Sequence, residues 1–156
     1  ASNLSLNQFA PNTPLDGMYV YMANEGQLHN VIVGEGETLK AGDVVMLDNV
    51  STNVHAPVVM TGSTDVTPFG VVSYNPKKST YTEGERVGLA REGDVIWKTA
   101  KSAIAVGDYV TFDETDFKVA TVSQSTSATY IGIALTPASA EGDLIQVELK
   151  FCDVID

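Results

Sequence analysis

Asp113, Glu114, Thr115 and Asp116 form the densest group of hard oxygen donors in the chain, with Asp108 close ahead of them. Crowded carboxylates and hydroxyls suit calcium, which is bound through oxygen alone. The D-x-D-x-D-G spacing of a calcium loop is absent, and the group falls between Phe112 and Phe117, where a hairpin turn is expected. Calcium on Asp113 and Asp116 and an ordinary acidic turn are both open readings. His29 and His55 are the only histidines, and neither has a histidine or cysteine partner at metal-ligand spacing. No serine sits in a G-x-S-x-G elbow, so a triad has no frame. Gly34-Glu35-Gly36 lacks the lysine and the following helix of a phosphate loop. Trp97, Tyr109, Phe112 and Tyr130 offer rings either for stacking a sugar or for packing a core or subunit contact. Catalysis, a metal and a cofactor are therefore not expected.

The elements that carry these residues are β-strands. Short runs rich in β-branched and aromatic residues, bounded by turns, lie at 18–22, 30–33, 43–47, 58–60, 69–73, 86–90, 95–98, 108–112, 118–122, 130–135 and 144–151. The last run alternates most cleanly: Ile145, Val147, Leu149 and Phe151 on one face, Leu144, Gln146, Glu148 and Lys150 on the other. Residues 102–105 and 137–140 are the candidates for single helical turns. Short strands with glycine turns predict an all-β fold, an antiparallel β-sandwich or small β-barrel.

The strands come in two sets. Ala41-Gly42-Asp43-Val44-Val45 returns as Val106-Gly107-Asp108-Tyr109-Val110, and Thr67-Pro68-Phe69-Gly70-Val71-Val72 as Thr129-Tyr130-Ile131-Gly132-Ile133-Ala134. Glu83-Gly84-Glu85-Arg86-Val87 returns as Glu141-Gly142-Asp143-Leu144-Ile145, and Asp94-Val95 as Asp153-Val154. The offsets are 65, 62, 58 and 59 residues, so an internal duplication with pseudo-repeats at about 39–95 and 104–154 is expected. The shared polar residues read as turn locks. Gly42, Gly107 and Gly142 supply positive φ, and Asp43, Asp108 and Asp143 accept bonds from nearby backbone N–H groups.

Residues 1–17 read differently, with Pro11, Pro14 and several asparagines around Leu4, Leu6 and Phe9. An extended N-terminal arm ahead of a single β domain at 18–156 fits, and its spaced hydrophobes suit docking on another molecule. No apolar run approaches the roughly 20 residues that cross a bilayer, and the first residues lack the pattern of a secretory signal. Cys152 is the single cysteine, so an internal disulfide has no second half. The net charge is −11, from 9 basic and 20 acidic residues, which repels phosphate backbones and argues against direct nucleic-acid binding. Six of the nine cations, Lys77, Lys78, Arg86, Arg91, Lys98 and Lys101, lie between residues 77 and 101. That stretch is either a mixed solvated face or a contact for an acidic partner.

The order of turns and strands from Glu83-Gly84-Glu85 through Arg91-Glu92-Gly93-Asp94, Val106-Gly107-Asp108, Tyr130-Ile131-Gly132-Ile133-Ala134 and Glu141-Gly142-Asp143 resembles the tailed-phage capsid decoration, or cement, proteins. The resemblance covers roughly residues 39–151, and its Gly-Asp turns are also similar to those of β-clip and β-tulip-like domains, dUTPase-like folds among them. It implies a head-stabilising protein on the outer capsid surface of the virion, made in the host cytoplasm and often a homotrimer. Its partner would be the major capsid protein, held across subunit junctions. It implies no catalytic residue, no cofactor, no nucleic acid and no membrane. Contact candidates are Leu4, Leu6 and Phe9 of the arm, then Lys77, Lys78, Arg86 and Arg91. The alternative is a carbohydrate- or receptor-binding surface module using exposed aromatics. A dUTPase-like hydrolase ranks behind it, because the chain ends Phe151-Cys152-Asp153-Val154-Ile155-Asp156 without a glycine-rich arm.

Overall fold

A computed structural model describes residues 14–23, 30–48, 56–122 and 129–152. These carry thirteen strands and no helix: β1 (Tyr19–Tyr21), β2 (Asn30–Val33), β3 (Thr38–Lys40), β4 (Val44–Leu47), β5 (Val58–Thr61), β6 (Gly70–Val72), β7 (Thr80–Thr82), β8 (Arg86–Ala90), β9 (Val95–Thr99), β10 (Tyr109–Phe112), β11 (Val119–Thr121), β12 (Tyr130–Ala134) and β13 (Leu144–Cys152). The fold is all-β.

Five strands close a small barrel in the order β2-β5-β4-β6-β8. Six others form a sheet in the order β1-β9-β13-β12-β10-β11. A parallel bridge between Ala100, just past β9, and Val119 of β11 joins the two sides of that sheet. Without β1 it is therefore a second five-membered ring, and its pairings repeat those of the first residue for residue. Val45 faces Gly70 as Val110 faces Gly132, and Val72 faces Leu89 as Ala134 faces Val147. Met46 faces Met60 as Thr111 faces Ala120, and Val31 faces Val87 as Lys98 faces Ile145. The parallel closure Val33–Val59 has its counterpart in Ala100–Val119, and the pair Leu39–Tyr81 of the β3–β7 ladder in Ile104–Ala138. Matching registers begin at β2 and β9, earlier than the shared motifs, because Asn30-Val31-Ile32-Val33 and Trp97-Lys98-Thr99-Ala100 have no residue type in common.

Residues 102–105 and 137–140 make no helical turn. Ile104 and Ala138 exchange N–H···O bonds of 2.9 Å in both directions, and burial of Ile104 holds that pairing in the second ring.

The Gly-Asp turns share one geometry. The Asp43 N–H donates to the Lys40 carbonyl at 3.1 Å, and the Lys40 N–H donates back to Asp43 Oδ2 at 3.0 Å. Asp108 and Ala105 do the same at 3.1 and 2.9 Å. Gly42 and Gly107 sit at φ 91° and 89°, where a Cβ is strained. Arg91 with Asp94 and Ala140 with Asp143 repeat the exchange. Each carboxylate thereby satisfies a backbone donor just ahead of a strand.

Two apolar clusters fill the rings. Val31, Val33, Leu39, Val45, Val59, Val72 and Leu89 pack the first; Ile96, Val110, Ile131, Ile145, Val147 and Leu149 belong to the second. Each such side chain contributes roughly 1.5–3 kcal/mol on burial. The second cluster also takes in Val44, Val71 and Ala90, which belong to the first ring's strands, so the halves share one apolar seam.

Candidate functional site

The six cations of the 77–101 stretch do not form one surface. Lys98 is fully buried. Period two puts it on the inner face of β9 beside Ile96, and its ammonium donates to Asp16 Oδ2 at 3.0 Å and to the Gly42 carbonyl at 2.6 Å. Asp16 Oδ1 in turn accepts the Thr99 N–H at 2.9 Å. The cation thus pins the turn before β1, the Gly42 turn of the first ring and β9 of the second. Nearby Asp43 is also buried, and burial pushes its carboxyl above the usual range.

Lys101 is committed to the acidic hairpin, reaching Asp116 Oδ2 at 2.9 Å and Asp113 Oδ2 at 3.2 Å. Its own pKa is raised, first by Asp116 and then by Asp113. Asp113 is held well below the usual carboxylate range, first by the Thr115 hydroxyl and N–H and then by Lys101; Asp116 is lowered by Lys101 and the Lys118 N–H. Glu114 turns away to accept the Thr64 N–H and hydroxyl, both at 2.8 Å, tying this hairpin to the loop after β5. The ammonium of Lys101 lies where a cation bridging Asp113 and Asp116 would have to go. No cluster of three or more His, Cys, Asp or Glu suited to a metal occurs among the described residues.

Lys78 pairs with Glu85 and lies 5.5 Å from the centre of the Tyr81 ring. Glu85 is lowered to about 2, first by Lys78 and then by the Thr82 N–H and hydroxyl. Arg91 stacks on Phe69 with its guanidinium carbon 3.9 Å from the ring centre. Lys77 and Arg86 are exposed and make no side-chain ion pair with another described residue. Leu4, Leu6 and Phe9 lie outside the described residues, as do His29 and His55. Gly142 and Asp143 close the turn before β13, where Asp143 Oδ2 accepts the Ser139 N–H at 2.8 Å.

The aromatics divide. Phe112 is buried and stacks on Phe117 at 5.9 Å, inside the second ring. Tyr109 and Tyr130 meet edge-to-face on its outside, with centroids 4.8 Å apart and planes 63° apart. Trp97 shares that outer face, opposite Gln146.

A phage cement protein family profile matches residues 23–149 of the 156. The chain belongs to the phage cement protein family. Among solved structures, the head fiber gp8.5 N base of bacteriophage phi29 is similar in fold, with a TM-score of 0.54 at 16% identity over 83% of this chain and 98% of that one. No curated protein sequence matches the chain significantly.

For a structural cement protein of the phage head, the described residues supply a rigid frame and an outer surface. Two features escaped sequence reading. Lys98 stands inside an apolar run, and only its phase relative to Ile96 hinted that it points inward. Asp16 precedes the strands in a segment read as arm, yet it is the anchor of that buried cation.

Proposed function

We propose that this cement protein decorates the outer surface of the phage head as a homotrimer, binding across junctions between major capsid protein subunits and stiffening the shell. It is made in the host cytoplasm and resides on the virion. The observation that carries the reading is the family match over residues 23–149. The likeness to a protein named as the base of a phage head fiber supports it. The two-ring frame suits the role: turn locks and the Lys98 pin leave little to rearrange on docking, so binding loses little conformational entropy. Many copies on one shell add retention through multivalency.

Leu4, Leu6 and Phe9 act as one adhesive element by strand addition or groove docking. Of the cationic stretch, Lys77 and Arg86 remain available to an acidic capsid surface, whereas Lys78 and Arg91 already serve local contacts. The test is co-sedimentation of purified protein with phage heads that lack it, followed by heating the decorated and bare heads. Binding together with a higher rupture temperature is expected; heads that neither bind nor stiffen would refute the reading. Deleting residues 1–13 should weaken binding, and unchanged binding would remove the arm from the contact.

A further inference from the structure

Matching the two rings by register exposes one place where they part company. In the first ring Val44, Val71 and Ala90 stand side by side across β4, β6 and β8, all fully buried against the second ring's apolar cluster. The residues at the same register in the second ring are Tyr109, Ile133 and Glu148, across β10, β12 and β13. This row is open: Tyr109 is 38% exposed, and Ile133 and Glu148 are half-buried. Along the same register, beyond Val95, which is buried, stands Tyr21 at the sheet edge, 59% exposed. From Tyr109 to Tyr21 it spans five strands, about 19 Å at ordinary strand spacing.

The first ring's row is covered by the chain itself. We infer that the second ring's row is covered by the capsid, through an apolar segment carrying a lysine or arginine. The cation follows from Glu148, which replaces the alanine of the first ring at the centre of the row. Its carboxylate makes no hydrogen bond or ion pair with another described residue, so a dry contact here would bury an unmet negative charge. A cation from the partner removes that cost, and a guanidinium gains further from the face of Tyr109. A second copy of the chain would bring a net charge of −11 to an already unpaired carboxylate, so the trimer contact falls elsewhere than on this row. A sugar is a poor fit, since Tyr109 and Tyr130 stand at 63° and present no flat platform.

This inference rests on the cement reading, and the experiment separates the two. Wild type, Glu148→Gln, Glu148→Lys and Tyr109→Ala are titrated onto heads lacking the protein, with melting temperature and light scattering recorded for each. Wild type should bind with an affinity that falls as salt rises. Glu148→Gln and Tyr109→Ala should each bind at least tenfold more weakly, and Glu148→Lys more weakly still, with unchanged melting and oligomeric state. Glu148→Gln should also flatten the salt dependence. Wild type failing to bind overturns both readings. Variants that bind like wild type overturn this one alone. A change of oligomeric state in the variants would assign the row to a second copy, and glycan-array binding lost in Tyr109→Ala would assign it to a sugar; either result overturns the capsid contact.

Discussion

Asp16→Asn removes the negative charge of the one carboxylate that, among the described residues, pairs with a fully buried ammonium. Lys98 Nζ and Asp16 Oδ2 are 3.0 Å apart, with the lysine side chain at 0% exposure and the aspartate at 29%. At an effective dielectric of about 20, that separation corresponds to about 5.5 kcal/mol of attraction as an upper estimate. Partial exposure of Asp16 reduces it, and asparagine can still accept the Thr99 N–H. The expected loss is about 3 kcal/mol, at the lower end for breaking a buried pair from one side. For a chain of this size, that is a fall in Tm of roughly 6–12 °C. Lys98→Met places an apolar chain where the first ring has Val31 and leaves Asp16 in contact with water. Its expected cost is only about 1 kcal/mol. The double variant should therefore be more stable than Asp16→Asn alone. Urea unfolding followed by circular dichroism and tryptophan fluorescence measures all three. A loss below about 1 kcal/mol for Asp16→Asn, or a double variant no better than it, would refute the pin.

Gly107→Ala should cost about 1–2 kcal/mol, because its φ of 89° is strained for alanine while no atom lies near the new Cβ. Gly42→Ala should cost at least twice as much by the same urea assay, since its Cβ would stand 1.8 Å from Asp16 Oδ2 and drive that carboxylate off Lys98. Gly132→Ala places a Cβ 2.2 Å from the Glu148 carbonyl, so it should break the β12–β13 pairing and yield insoluble protein, scored by soluble expression. In acid, Asp113, Asp116, Glu114, Asp143 and Glu85 have folded pKa values below their unfolded ones. Their stabilisation is present above the unfolded value of about 4 and is lost as pH falls through the folded values, for Glu85 at about 2. Asp43 has the opposite sign: its raised pKa makes ionisation costly, so protonation on acidification relieves the fold. The urea midpoint should hold or rise slightly from pH 7 to about 5 and fall below about 4; a steep loss above pH 5 would contradict this.

What the sequence disclosed follows from how locally each feature is determined. A Gly-Asp turn is settled within four residues by one positive φ and one carboxylate, so Asp43 and Asp108 were readable in place. The β13 face was readable because Ile145, Val147 and Leu149 alternate over a long strand. β3 and β7 were missed, because Thr38-Leu39-Lys40 and Thr80-Tyr81-Thr82 are three-residue pieces that become strands only by pairing with each other. The correspondence of β2 with β9 was hidden because register is a property of backbone pairing, and none of the four aligned residue pairs keeps its type. The 77–101 cations looked like a patch on paper because charge density along a chain ignores phase. The pleat sends Lys98 into the core, and the fold gives Lys101 to the acidic hairpin. Glu148 was placed on the outer face by alternation, but its isolation among apolar neighbours depends on strands from across the chain.

β1 is the first of the described strands yet lies in the second half's sheet, beside β9, so the whole first ring is threaded between one edge of that sheet and the rest. This ordering sets a mechanical load path. A pull on Leu15 passes through the Asp16–Lys98 ion pair and the short β1–β9 ladder into β9 of the second ring, and through the bond from Lys98 to the Gly42 carbonyl into the first. The turn at Asp16 thus works as a coupler: a force applied at one end of the frame is divided between the two rings instead of unravelling either alone.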